Sequence, residues 1–242
     1  IGESALELKS GKFIFEEVKE FLFKNNFINK NWNALNILSQ NASAVGCIDL
    51  KFFHEKKDDE VSFFDKIKNN NFELIYLLGS DNFEVNKKNE FIIYQGSHGD
   101  RGAEIADIIL PSPAYTEQDG MYINLEGRVQ ECRKASYPTG QAKEDWKIFN
   151  LITRKLKNEK LLPNYEDLKK LTLNQITNFS GIDNLPNKIF INNKKLNLKF
   201  LNEKILINEI DYYFTNSIAR ASKTMSDCRI EKIRNSENRK TG

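Results

Sequence analysis

A chain of 242 residues has room for one large domain or two small ones, and 40% hydrophobic against 29% charged residues suits a globular protein with a real core. Its 36 Lys+Arg against 34 Asp+Glu leave a net charge of +2, too small an excess to displace a counterion atmosphere, so no nucleic-acid partner is expected. Three widely separated cysteines, Cys47, Cys132 and Cys228, exclude closely spaced metal or cluster ligands and a disulfide framework, and no apolar run approaches the roughly 20 residues of a spanning helix.

The first helix predicted runs over residues 13–22, where Phe13, Val18, Phe21 and Leu22 recur at helical steps between Lys12, Glu16, Glu17, Lys19 and Glu20. A second is expected over 33–45, with Leu35, Leu38, Ala42 and Val45 on one face and Gly46 as its stop. Residues 54–60 read as a charged loop and 62–69 as a third helix. At residue 73 the period changes. The short apolar runs 73–78, 91–95 and 107–110 end in Gly79-Ser80, in Gly96-Ser-His-Gly-Asp-Arg-Gly102 and at Pro111, as buried parallel strands do, with one helical turn over 103–106. Strands alternating with helices define an α/β fold with a largely parallel sheet flanked by helices. Residues 121–125 read as a strand between loops, and 144–157 as a helix whose Trp146, Phe149, Ile152 and Leu156 share a face. Beyond Lys160 the pattern thins to short apolar runs at 189–191 and 196–200, read as small strands in an irregular C-terminal region, and residues 235–242 read as frayed. Trp32 and Trp146 are expected in the core.

The chain begins Ile1-Gly2-Glu3-Ser4, which reads as a processed, trimmed or partial product. Its 29 Asn, beside many Lys, Ile and Phe, are the residues an AT-rich genome favours. Most of them are therefore expected to be solvated surface.

Residues 91–149 carry an ordered set of motifs: Tyr94-Gln-Gly-Ser-His-Gly-Asp100, Ala106-Asp-Ile-Ile-Leu-Pro111, Tyr115-Thr-Glu117, Gly120, Asn124-Leu-Glu-Gly-Arg128-Val-Gln130 and Glu144-Asp-Trp146. The set resembles the molybdopterin oxidoreductase superfamily and, within it, the large iron–sulfur subunit of respiratory complex I, NADH:ubiquinone oxidoreductase, the G type of bacteria. Trp32-Asn-Ala-Leu-Asn-Ile-Leu38, and Thr215-Asn-Ser-Ile-Ala-Arg-Ala-Ser222 followed by Met225 and Cys228, are similar to segments of the same subunit. The resemblance implies a Rossmann-like, degenerate molybdopterin oxidoreductase domain without cofactor over residues 1–157, then an Asn/Lys-rich extension over 158–242 with a complex I-like tail at 215–228. It covers only the C-terminal half of that subunit. Iron–sulfur clusters and FMN are expected on other parts of the complex, and the large subunit is expected to be split between genes or only partly represented in this chain. The resemblance implies other peripheral-arm subunits as partners, a cluster-bearing N-terminal half among them. The location implied is the matrix side of the mitochondrial inner membrane, or the cytoplasmic side of a bacterial one. A fragment of a molybdopterin-dependent enzyme such as formate dehydrogenase is the alternative.

No catalytic, cofactor-binding or metal-ligating residue is expected in this chain. The loop 96–102 lies where catalytic relatives hold the pterin dinucleotide, and its glycines would let backbone amides approach a phosphate. The expectation is instead that glycine supplies positive φ and that His98 hydrogen-bonds a neighbouring loop. Glu117, Glu126 and Arg128 lack a partner histidine, so Glu126 and Arg128 are expected to form a structural ion pair. Cys132, beside Arg133 and Lys134, and Cys228 are expected to be small buried or incidental residues without redox chemistry. The tail from Arg229 to Lys240 is expected to be a solvated face. Gly127 is expected to sit in a turn that favours a residue without Cβ.

Overall fold

The computed structural model describes residues 1–42, 44–53, 63–81, 85–157, 162–176, 178–186, 191–192, 194, 196–205 and 211–240, the last five of these by backbone alone. The expected charged loop at 54–60 and most of the run at 189–191 lie outside these residues. In chain order the elements are α1 (Glu3–Leu6), α2 (Gly11–Lys24), α3 (Ala44–Asp49), α4 (Phe63–Lys68), β1 (Leu74–Leu78), β2 (Phe91–Gly96), α5 (Arg101–Ile105), β3 (Ile108–Pro111), β4 (Gly120–Ile123), β5 (Val129–Cys132), α6 (Asp145–Lys157), α7 (Tyr165–Gln175), α8 (Ser217–Ala221) and α9 (Lys223–Lys240). They fall into two compact units that interleave along the chain: Ile1–Phe53 with Gly120–Cys132 and Leu162–Ile207, and His54–Asp119 with Arg133–Leu161 and Asn208–Gly242.

The second unit carries the parallel sheet, in the order β1-β2-β3, with Leu74 opposite Phe91 and Ile93 opposite Ile108. Because side chains alternate across a strand, Ile75, Leu77, Ile92 and Tyr94 point to one face. There they pack with Ile67 of α4 and with Ala103 and Ile105 of α5. The other face turns Tyr76 toward α6, where it stacks on Phe149 at 5.5 Å between ring centroids. α6 places Asp145 in its first turn and Arg154, Lys155 and Lys157 in its last, each sign opposing the local end of the helix dipole.

The first unit pairs β4 and β5 as an antiparallel hairpin, Ile123 opposite Val129, and closes it with Ile176 and Leu173 on one side and Val45 on another. Gly127 stands in its connection with φ +82°, in the left-handed region, and a Cβ there would come within 2.9 Å of Pro186 Cγ. Turn residues near 126–127 were legible; the second strand of the hairpin, β5, was not.

Residues 33–42 are not helical. Asn33 Oδ1 accepts the Leu35 amide at 2.9 Å, and Leu38 exchanges backbone hydrogen bonds with Ile1 and Glu3, at 2.8 and 3.0 Å. Asparagine side chains here offer the backbone a local turn in competition with the helix. The helix starts only at Ala44, and Gly46 lies inside it instead of ending it. Trp32 is 64% exposed and not in the core: its amide and that of Asn31 both bond Asn29 Oδ1, so it sits at the tip of a turn.

α2 has an unexpected buried edge. Glu16 and Lys19, two of the charged residues between its apolar positions, are buried and paired at 2.7 Å. Lys19 also donates to the Lys194 carbonyl at 3.3 Å, and Glu16 Oε2 accepts the Leu196 amide at 3.0 Å. Just before the helix, Ser10 Oγ both donates to and accepts from Leu201 backbone groups at 2.8 Å. The segment 196–200, expected as a strand, is in none of the strands, and side chains of the α2 region hold backbone groups of Lys194, Leu196 and Leu201 at and around it. Beyond Lys160, α7 and α8 start at Asn164 and Asn216, whose side chains accept the amides of Asp167 at 2.9 Å and Ala219 at 2.8 Å. These are N-caps, and they give helices to stretches whose periodicity was thin. α9 continues through residues expected to fray.

Candidate functional site

Ligands of open α/β sheets bind beyond the carboxyl ends of the strands. In this chain that place is reached by the end of β1, by the loop 96–102 after β2, and by α8. Tyr94 fills its floor: the side chain is buried and its hydroxyl donates to the His98 carbonyl at 2.7 Å. A Cβ at Gly96 would collide with the Tyr94 ring, and one at Gly102 would lie 2.7 Å from Tyr94 Cδ2 and 2.9 Å from Asp81 Cβ. Neither these two nor Gly99 has a positive φ, so the expected reason for the glycines is corrected: Gly96 and Gly102 clear the Tyr94 ring. It is the carbonyl of His98 that Tyr94 bonds; the ring Nδ1 lies 3.0 Å from Ser97 Oγ.

Arg220 of α8 enters from the far end of the sequence. Its guanidinium bonds Asp81 through Nη2 and Asp100 through Nε. The side chains of Arg220 and Asp81 are 9% and 4% exposed, that of Asp100 26%. The second oxygen of Asp81 accepts the Gly102 amide at 3.3 Å. The Arg220 hydrogen bond holds the Asp100 carboxyl below its ordinary range. Burial works against the Arg220 charge, but the bonds to Asp100 and Asp81 outweigh it and keep the guanidinium protonated. Burial, and then the Asp81 charge, raise the Tyr94 phenol, which stays neutral.

A second polar cluster joins the sheet to α6, and Gln95, Glu117, Glu144, Asp145 and Trp146 among its members come from the motifs quoted above. Gln95 is fully buried, accepts from the Tyr76 hydroxyl and donates to Asp145 Oδ1 at 2.6 Å. Gln118 donates to the other Asp145 oxygen at 3.0 Å. Burial pushes the neighbouring Glu144 carboxyl up, but Lys147, Trp146 and Lys134 outweigh it and hold it low. Trp146 Nε1 donates to Glu144 at 2.9 Å, so this tryptophan is pinned at the helix start. Glu117 accepts the Ala114 amide at 3.0 Å and the Thr139 hydroxyl at 3.3 Å, which closes a turn. These bonds tie β2, the turn before β4 and the start of α6 together.

The remaining residues singled out lie apart from these clusters. Glu126 and Arg128 approach to 3.9 Å, while Arg128 bonds the Asp183 carbonyl at 2.7 Å. Cys47 and Cys132 are half-buried, and Cys228 is exposed on α9. Among the described residues no group of three or more His, Cys, Asp or Glu side chains is placed to hold a metal ion. Asp81, Tyr94 and Arg220 were missed as a set; only the similarity of the 215–222 segment to the family pointed at Arg220.

The chain belongs to the molybdopterin oxidoreductase family, which residues 1–155 match, and a parallel sheet with helices on its faces is consistent with that membership. Residues 193–228 match a second family, the C-terminal region of the G subunit of NADH-ubiquinone oxidoreductase. Among similar proteins are the 75 kDa subunit of NADH-ubiquinone oxidoreductase of Reclinomonas americana, 39% identical over 94% of this chain and 33% of the relative, and the mitochondrial 78 kDa subunit of Candida albicans, 37% identical over 97% and 34%. The G subunit of the NADH-quinone oxidoreductase of Rickettsia bellii is 37% identical over 94% of this chain and 32% of its own length. The chain thus spans about a third of the length of these relatives.

The family implies a molybdopterin cofactor, and the strand end does not fit a pterin dinucleotide. The cavity beside Asp81, lined by Leu77, Val85, Arg101, Gly102 and Glu104, holds about 270 Å³, below the range of drug-sized ligands, and two carboxylates face it. The Gly102 amide, which a phosphate would need, is already given to Asp81. An internal carboxylate and guanidinium stand where an external anion and its counter-charge would be.

Proposed function

We propose that this chain is a structural part of the peripheral arm of NADH:ubiquinone oxidoreductase, supporting electron transfer coupled to proton pumping without holding a redox centre. Iron–sulfur clusters and FMN belong, on this reading, to other parts of the assembly. The arm would stand on the matrix side of the mitochondrial inner membrane or the cytoplasmic side of a bacterial one; no described helix is long and apolar enough to cross a membrane. Support comes from the names of the relatives and from one observation above all: the strand end is filled by Tyr94 and by the Arg220 bridge to Asp81 and Asp100. Native electrophoresis of membranes from the source organism tests the assignment. The chain should migrate with NADH dehydrogenase activity, and His98→Ala and Arg101→Ala should leave turnover per assembled complex unchanged. A chain that runs as a free monomer refutes it, as does molybdenum or tungsten at near one atom per chain.

A further inference from the structure

We draw no further inference here: the strongest candidate, the apolar cavity of about 220 Å³ in the first unit between α3, the β4–β5 hairpin and α7, lined by Cys47, Met121, Val129 and Ile176, has in its wall Phe52 and Ile176, which lead into residues outside the described ones, and nothing in the structure shows what covers it.

Discussion

Replacing Arg220 by alanine removes the cation from between two carboxylates that the fold has taken out of water. Asp81 is the costly arm: at 4% side-chain exposure it keeps, among the described residues, the Gly102 amide, and losing one partner of a buried ion pair costs about 3–5 kcal/mol. Asp100 is a quarter exposed, so water recovers most of its loss and it adds about 1 kcal/mol at most. The sum is a large share of the about 5–15 kcal/mol that holds a typical domain folded. Urea denaturation of the full chain at neutral pH, followed by tryptophan fluorescence and circular dichroism, should show the midpoint falling by a matching amount. The triple variant Arg220→Leu with Asp81→Asn and Asp100→Asn should regain much of it, since no buried charge is then left alone. The difference must also depend on pH in one direction. The Asp100 carboxyl is held low in the folded state, so its contribution is present above the ordinary aspartate range and is lost as pH falls through the depressed folded value. The gap between wild type and Arg220→Ala should therefore narrow below about pH 4. An Arg220→Ala protein within about 1 kcal/mol of wild type at neutral pH would refute the reasoning, because a solvated bridge is worth no more than that.

Gly127→Val should cost at least about 1–3 kcal/mol, since φ is +82° and the new side chain meets Pro186; an unchanged melting temperature would contradict it. Gly102→Ala should destabilise by about 1–3 kcal/mol through contact with Tyr94 and Asp81, whereas Gly99→Ala, whose Cβ would meet only Ala103 Cβ at 3.6 Å, should stay within about 0.5 kcal/mol; equal midpoints would argue against the packing described. Lys19→Met should leave Glu16 buried without the Lys19 cation and lower stability by about 3 kcal/mol or more, and adding Glu16→Leu should restore most of the loss in the same denaturation assay.

The parallel sheet could be read from the chain because β1, β2 and β3 are unbroken apolar runs, each closed by glycine or proline, and because α6 has a full apolar stripe. Other elements failed for identifiable reasons. Residues 33–42 have helical spacing, but asparagine side chains and pairing with the residues around Gly2 take their backbone groups. Asn164 and Asn216 looked like compositional drift and are helix caps. Glu16 and Lys19 carry the pattern of a solvated face, and only the return of residues 194–201 shows that they are covered. The strand-end site was half legible: the loop 96–102 stood out, but no local pattern links Asp81 and Asp100 to an arginine 139 and 120 residues further on.

That separation has a consequence for biogenesis. At about 5–20 residues per second, the ribosome delivers Arg220 roughly 6–24 s after Asp100. Throughout that interval the sheet can pair and collapse on its apolar face, while Asp81 and Asp100 face each other without their cation. Such an intermediate holds two like charges at the one place where its strands end. The strand end should therefore consolidate only once Arg220 has been delivered, the last piece of the second unit's site to leave the ribosome.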